Sequence, residues 1–202
     1  EGDITTIVAT SAFGEGVNIP DVRHVALFHL PFNRVEFNQM CGRCGRDGLP
    51  ATVHLLFGER DARLNELILE SSAPDVDELR TLYAVLRDRA AAAEDGWIEA
   101  TNEELASEVR KRRPRAKLSD KGASAGISIF RELGFVTGEG LGGYRRLRLE
   151  TPPDGKTELT SSVRYAEGLE EAEEFAEFRE WALKSSPDRL LDAFARPILP
   201  AG

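Results

Sequence analysis

The stretch FNQMCGRCGRDG, residues 37–48, combines features of two different kinds of site. Its cysteines, Cys41 and Cys44, have the spacing of a zinc knuckle or of a dithiol redox pair. Its other notable polar groups, one amide and two guanidiniums among glycines, are typical of a loop that binds phosphate. These groups belong to Gln39, Arg43 and Arg46. The function of the chain depends on which of the two sets carries the chemistry.

A metal site at the cysteines lacks further ligands. A structural zinc site needs four Cys or His ligands. The only histidines show no second half of a finger pattern; they are His24, His29 and His54. A disulfide between residues three apart would close a very small loop, so we expect free thiols in a reducing, intracellular compartment. We predict no metal and interpret Cys41 and Cys44 as small, half-buried spacers.

The composition is that of a globular chain, with 41% of the 202 residues hydrophobic and 30% charged. No apolar run approaches the roughly 18 residues that would span a membrane, and the first residues, EGDITTIVAT, do not have the pattern of a signal peptide. The net charge of −9 is unfavourable for a chain that binds polyanions over its whole surface. Residues 100–150, however, hold 11 bases and 7 acids, so the central segment is locally basic.

Three apolar runs around the opening stretch predict strands of an α/β sheet. They are ITTIVA (4–9), HVALFHL (24–30) and TVHLLF (52–57). Such near-continuous runs are typical of parallel strands buried on both faces, and a helix from about Asn33 would join the second strand to the third. Because an α/β layer normally has more strands, we expect upstream residues or a partner chain to cover the sheet edge.

A second motif, ATSAFGEGVNIPDVR, occupies residues 9–23. Thr10 and Ser11 would lie at the carboxyl end of the first strand, where ligands of open α/β sheets bind. The glycines that follow, Gly14 and Gly16, let a backbone approach a ligand closely.

The polar groups of the opening stretch have helical spacing. A helical turn would place Gln39, Arg43 and Arg46 on one face. Planar guanidiniums there suit a γ-phosphate, whose charge spreads over its oxygens in the transition state.

Together the two motifs resemble motifs V and VI of superfamily-two helicases, and RecQ-type DNA helicases in particular. The resemblance rests on AT-x-AFG-x-G-x-N-x-P-x-VR, on LFHLPFN and on Q-x-x-GR-x-GRDGLPA, and it covers about residues 1–57. It implies the partial RecA-like parallel sheet of a second helicase motor domain. It also favours the arginines over the cysteines, which occupy variable positions of the motif.

The resemblance implies a role for each motif residue. Thr10 and Ser11 would lie on the DNA backbone, and Gly16 and Asn18 would bind ATP. The residues implied to reach the ATP phosphates are Gln39, Arg43 and Arg46, with Arg46 as the arginine finger. ATP and Mg²⁺ would act in a full-length parent, on single-stranded DNA and a duplex junction.

Several parts of such a helicase are missing from the sequence. There is no G-x-x-x-x-G-K-[ST] and no acidic box of the Walker B type. The four-cysteine zinc subdomain of RecQ proteins is also missing, which favours a divergent or fused relative. We therefore expect a fragment that binds no cofactor alone, does not hydrolyse ATP and completes a site built on an upstream motor domain.

Residues 75–150 have the element order of a winged helix. Three helices are predicted: one at 75–93, one that begins at the capping box of Thr101 and Glu104 and ends at about Arg112, and one at 119–133. A strand is predicted at 96–100 and a hairpin at 135–150. The third helix would be the recognition helix, and an aromatic at the hairpin tip would wedge at a duplex end. The residues expected to contact DNA are Lys121, Ser124, Tyr144, Arg145 and Arg146. Alternatively, the basic residues form a solvated face or a protein contact.

The ending predicts an acidic helical tail, with helices at about 167–184 and 187–195. It resembles the tail of a bacterial RecJ-type single-stranded-DNA exonuclease fused to a RecQ-like helicase, which implies a bacterial cytoplasmic protein. Otherwise its aromatic stripe would pack against the winged helix; the stripe contains Phe175, Phe178 and Trp181.

The predicted organisation has three parts: motor segment 1–72, winged-helix domain 73–150 and tail 151–202. The predicted fold class is α/β, followed by an α+β winged helix and helices. The predicted function is the C-terminal part of an ATP-dependent DNA helicase in repair or recombination. The alternative is a winged-helix module that binds DNA or protein and whose α/β part has lost its motor role.

Overall fold

The computed structural model describes residues 5–10, 19–140, 143–151 and 157–194. The chain divides into two compact units, one of residues 1–65 with 174–202 and one of residues 66–173. The tail is therefore divided, because its second half groups with the first 65 residues. Within the described ranges, no helix is both long and apolar enough to cross a bilayer.

The first unit contains a two-stranded parallel sheet of β1 (His24–Leu27) and β2 (Thr52–Leu55). The register pairs His24 with Thr52 and Leu27 with Leu55. The predicted parallel pairing is confirmed, but the prediction of strands buried on both faces is wrong, since only Leu27 is buried in either strand. One face of this sheet is exposed, whereas the other, with Leu27 buried, is half-buried.

The strand predicted at 4–9 is wrong for the part that the structure describes. Residues 5–10 form no strand and are exposed, Val8 being 98% accessible. A β-branched run gains little from its propensity unless it pairs with a neighbouring strand. Thr10 consequently does not lie at the end of a strand.

Helix α1 (Arg34–Cys41) begins as predicted, with Asn33 as its N-cap. The Asn33 side chain accepts a hydrogen bond from the Glu36 amide, and the Glu36 carboxylate accepts one from the Phe32 amide, 2.9 Å each. This reciprocal pair satisfies donors that the helix start leaves open.

The tail's aromatic stripe packs on the same unit. Helix α6 (Val163–Lys184) carries it, and helix α7 (Pro187–Phe194) follows. Phe37 lies 5.9 Å from Phe178 and 5.5 Å from Trp181 between ring centroids, and Phe32 lies 6.2 Å from Phe175. The expectation that this stripe packs against the winged helix is therefore wrong. Phe32 and Phe37, just before and in α1, are the aromatic partners of the stripe, and the pairs have the tilted and edge-on geometries that aromatic rings prefer.

Helix α2 (Glu59–Glu70) is a helix that the sequence analysis missed. It buries Ala62, Asn65 and Leu69, which lie three and four residues apart on one face. The buried Asn65 amide donates to the Leu30 carbonyl at 2.7 Å, so the polar group is satisfied.

The second unit has the predicted element order. It contains α3 (Val76–Ala92), β3 (Trp97–Thr101), α4 (Asn102–Arg112), α5 (Asp120–Glu132), β4 (Val136–Glu139) and β5 (Tyr144–Leu149). The strands form an antiparallel sheet in the order β3-β5-β4. The predicted capping box of Thr101 and Glu104 is confirmed, as is the Ser119 cap of α5. Gly134, at φ 77°, follows the C-terminus of α5 as predicted.

The core of this unit lies between α3, α4, α5 and the sheet. Helix α5 buries Ile127, Ile129 and Phe130, as the sequence predicts. Gly126 allows close approach to α3, because a Cβ at this position would lie 2.7 Å from Leu82 and 2.9 Å from Leu79.

The beginning of α6 also belongs to the second unit. The Glu132 carboxylate, at the end of α5, accepts hydrogen bonds from the Ser162 hydroxyl and the Val163 amide at 2.6 Å each. These bonds lower the pKa of Glu132. Tyr165 is buried in the core, and a Cβ on Gly168 would lie 2.9 Å from that of Ala73.

Candidate functional site

The arginines of the opening stretch lie in a loop and not on a helix. Helix α1 ends at Cys41, with Gly42 as its C-cap. Gln39 is in the last turn of α1, whereas Arg43 and Arg46 follow in turns. The prediction that a helical face carries all three is therefore wrong. Gly45 and Gly48 have φ of 65° and 81°, which a continuing helix does not permit.

The loop after α1 is tied to the end of the second sequence motif. The Gly45 amide donates to the Val22 carbonyl at 3.0 Å, and the Asp47 amide donates to the Pro20 carbonyl at 3.2 Å. The described end of the first motif, residues 20–23, and the loop of the second thus form one structural element.

An ion pair between Arg23 and Asp47 completes this connection. Arg23 also donates to the carbonyls of Asp21 and Pro50 at 3.1 Å each. The hydrogen bond from the Arg23 guanidinium lowers the pKa of Asp47. The Leu49 amide donates to the same carboxylate at 3.1 Å and lowers this pKa further. Both residues belong to the sequence motifs, but no sequence pattern indicated that they form an ion pair.

The candidate phosphate-binding groups have different surroundings. Gln39 and Arg46 are exposed, and Arg43 is half-buried. The Nε of Arg46 donates to the Gly42 carbonyl at 3.2 Å, which folds the side chain back over the loop. Within the described part of the chain, the Arg43 guanidinium makes no hydrogen bond or ion pair. An amide and two guanidiniums at one loop can bind an anion bearing several oxygens.

The two cysteines are free thiols. Cys41 is buried, and burial raises its pKa to about 12. The Cys44 thiol is half-buried and donates to the Cys41 carbonyl at 3.3 Å. Both are therefore protonated at neutral pH, in the spacer role predicted. Among the described residues, no group of three or more His, Cys, Asp and Glu is arranged to hold a metal.

Several predicted motif residues lie outside the described residues, namely Ser11, Gly14, Gly16 and Asn18. Thr10 is described and exposed. The geometry of the predicted ATP contacts at Gly16 and Asn18 is therefore an expectation from the sequence alone.

The predicted DNA contacts on the hairpin are engaged within the unit. Tyr144 is the first residue of β5, directly after the hairpin loop and opposite Thr101. Its hydroxyl donates to the Glu99 carboxylate at 2.9 Å, which raises the pKa of Tyr144. The Arg146 Nε lies 3.6 Å from the same carboxylate, and its guanidinium stacks 4.7 Å from the Trp97 ring centroid.

Arg145 points toward the core side of the sheet. It donates to the Asn102 side chain at 3.0 Å and to the Ser124 hydroxyl at 2.7 Å. Arg145 and Ser124 are both half-buried, whereas Lys121 is exposed. The sequence analysis did not identify Glu99 or Asn102 as partners. The strand register brings Glu99 next to β5, and Asn102 directly follows Thr101, the last paired residue of β3.

The comparisons with known proteins identify the class of the first unit's N-terminal segment. Residues 1–48 match the family described as helicase conserved C-terminal domain. Over about 40% of its length the chain is homologous to RecQ-family DNA helicases, which confirms the resemblance found in the sequence. No solved structure gives a significant match.

Three relatives illustrate the similarity. The chain is 40% identical over 83 residues to the probable ATP-dependent DNA helicase RecS of Bacillus subtilis (41% of this chain, 17% of that protein). It is 44% identical over 69 residues to ATP-dependent DNA helicase RecQ of Haemophilus influenzae (34% and 11%). It is 39% identical over 87 residues to human ATP-dependent DNA helicase Q4 (43% and 7%). The match thus spans less than a fifth of each relative.

Proposed function

We propose that this chain is the C-terminal part of a RecQ-like ATP-dependent DNA helicase that acts in repair or recombination. The observation that carries the proposal is the connection between residues 20–23 and the Gly45–Asp47 loop. It holds the end of the first motif and the loop of the second as one element, which carries Arg43 and Arg46. The helicase names of the relatives support the same conclusion.

The donor groups in the loop fit a polyphosphate. Gln39 offers a neutral amide and the two arginines offer fixed positive charge, which suits ATP oxygens. The described residues hold no carboxylate cluster that would fit Mg²⁺, so the metal ligands and the main phosphate cradle would come from an upstream motor domain. Arg46 would stabilise charge on the transferred phosphoryl group, and Arg43 would bind a neighbouring oxygen. The chain alone would then not hydrolyse ATP.

The second unit is proposed to be a winged helix. Its helix-strand-helix-helix-strand-strand order and its three-stranded antiparallel sheet support this assignment. The predicted parts 1–72, 73–150 and 151–202 would serve as motor segment, DNA-contacting domain and tail. An upstream exonuclease remains a prediction from the tail's resemblance, because the relatives named above carry helicase names only.

The proposal is tested with Arg46→Ala in a parent polypeptide that contains both motor domains. A well-placed arginine finger contributes on the order of 10³–10⁵ in rate. We expect ATP turnover at saturating DNA to fall at least about a hundredfold, with DNA affinity changed less than about twofold. Arg60→Ala, which removes an exposed arginine from α2, is the matched control and should leave turnover unchanged. Unchanged turnover in Arg46→Ala would reject the assignment.

A further inference from the structure

One side of α5 faces the start of α6 within the same unit. Ala125 faces a cleft that it shares with Arg164, Glu167 and Glu171 at the start of α6. Glu132, at the end of the same helix, is bonded to the first residues of α6. The start of α6 therefore flanks this side of α5, and the acidic side chains beside it would repel phosphates.

The outer face of the sheet is also poorly suited to a polyanion. The register places Arg146 between Glu99 on β3 and Glu139 on β4. Because Glu99 already accepts from Tyr144 and pairs with Arg146, Arg148 is the one β5 arginine on this face that has no ion pair among the described residues.

A third surface of the unit has cations without partners. The segment 110–121, from the last turn of α4 to the first turn of α5, contains one acid, Asp120, and seven bases. Three of the bases neutralise acids, through Arg110–Glu103 at 2.6 Å, Arg112–Asp88 at 2.6 Å and Arg113–Asp77 at 2.8 Å. The others are exposed, and within the described ranges their side chains have no hydrogen bond or ion pair: Lys111, Arg115, Lys117 and Lys121.

Hydrogen bonds fold this segment into one corner. Arg110 donates to the Leu118 carbonyl at 2.6 Å, which brings the end of the loop back to α4. The Lys117 amide donates to the Glu78 carboxylate of α3 at 2.6 Å, which ties the loop to α3. Lys111 lies opposite the buried face of α4 and so points to solvent. We name this surface the α4–α5 corner, defined by Lys111, Arg115, Lys117 and Lys121.

We propose that the α4–α5 corner binds the sugar-phosphate backbone of duplex DNA, and that the rest of α5 beyond Lys121 and the sheet face do not. Four cations without partners among the described residues suit adjacent phosphates, whereas acidic side chains flank α5 and the sheet face. The contact is therefore insensitive to base sequence and strongly dependent on salt. The choice of DNA among polyanions rests on the proposed function.

The test measures binding of the full chain to a fluorescent 20-base-pair duplex between 50 and 200 mM salt. The corner variant replaces Lys111, Arg115, Lys117 and Lys121 with Gln. At the lowest salt we expect at least about tenfold weaker binding, and a slope of log K against log salt smaller by about 0.9 for each phosphate that the variant no longer neutralises. A duplex of unrelated sequence should bind the native chain equally well.

Matched variants separate the corner from total charge and from misfolding. The scattered control replaces Arg60, Arg63, Arg87 and Arg189 with Gln, which removes the same charge elsewhere, and should bind like the native chain. A variant that preserves the charge of the corner, with Lys111→Arg, Lys117→Arg and Lys121→Arg, should also bind like the native chain. Equal losses in the corner and scattered variants, or a loss confined to Arg146→Gln with Arg148→Gln, overturn the proposal.

The result is independent of the ATP site. In a two-domain parent, the corner variant should keep maximal ATP turnover while it needs at least about tenfold more DNA for half-maximal stimulation. A parent without ATP turnover whose duplex binding still depends on the corner would reject the proposed function and keep this inference. A native chain without salt-dependent duplex binding would reject this inference.

Discussion

A single ion pair, Arg23–Asp47, joins the ends of the two motifs on which the functional interpretation depends. Both side chains retain solvent contact, so the pair acts mainly by fixing loop geometry and less by burying charge. Its loss would leave the backbone hydrogen bonds of Gly45 and Asp47 to Val22 and Pro20 as the remaining connection, and would thereby loosen the loop that carries Arg46.

Asp47→Asn should weaken the folded state in a pH-dependent way. The pKa of Asp47 is lowered in the folded chain, so its contribution is complete above the unfolded value of about 3.9 and is lost as the pH falls below that value. The variant should unfold at a lower temperature than the native chain at pH 7, and the two should converge as the pH falls through the lowered pKa of Asp47. Thermal unfolding followed by circular dichroism at several pH values measures the difference.

Asp21→Asn is the control for this change. Asp21 is exposed and lies in the same loop region, but its carboxylate has no bond to Arg23; only its carbonyl does. Its substitution should leave the unfolding temperature nearly unchanged at every pH. A pH-independent effect of Asp47→Asn would show that the carboxylate charge is not what connects the loops.

The two thiols should differ in reactivity. Cys41 is 2% exposed with a pKa of about 12, so its reactive thiolate is scarce and inaccessible at pH 8. We expect iodoacetamide to modify Cys44 well before Cys41, as read by mass spectrometry of peptides. Faster modification of Cys41 would contradict the spacer assignment.

At the scale of elements, packing against α3 depends on the absence of a side chain at Gly126. Gly126→Ala would place a methyl 2.7 Å from a Leu82 methyl carbon, and such overpacking costs about 1–3 kcal/mol. Chemical denaturation should report this loss. Gly58→Ala, where a new Cβ meets nothing within 4 Å, should be close to neutral, and equal stability of the two variants would contradict the described packing.

Elements whose signals are local could be predicted from the sequence. Helix α4 starts where Thr101 and Glu104 form a capping box, and α5 ends where Gly134 adopts a positive φ. The run at 5–10 failed because a strand needs a partner, which local sequence does not reveal. Helix α2 was missed because its buried face includes a polar residue, Asn65, whose amide finds a carbonyl 35 residues away.

The sequence indicated which residues form the candidate site but not how those residues are arranged. The motifs named Gln39, Arg43 and Arg46, but periodicity extended α1 past the point at which Gly42 ends it. On β5, residue type favoured Tyr144 and Arg146 as DNA contacts. Whether a side chain such as Arg146 is free depends on acids on the neighbouring strand, such as Glu99, which no local pattern identifies.

At the scale of the molecule, the first unit exposes apolar side chains beside its sheet. Phe28 and Leu56 follow the paired residues Leu27 and Leu55 and are 79% and 58% accessible. Such a patch favours association with another surface. We expect the chain to self-associate with rising concentration in sedimentation, and Phe28→Lys with Leu56→Lys to reduce this. A monomer at all concentrations would contradict the prediction.

The central claim is that this chain supplies one part of a divided ATP site. Its most direct test compares ATP turnover of the chain alone with that of the chain joined to an upstream motor domain that carries a Walker A motif. We predict no turnover by the chain alone and DNA-stimulated turnover by the joined polypeptide, abolished by Arg46→Ala. Hydrolysis by the chain alone, or joined turnover indifferent to Arg46, would contradict the account.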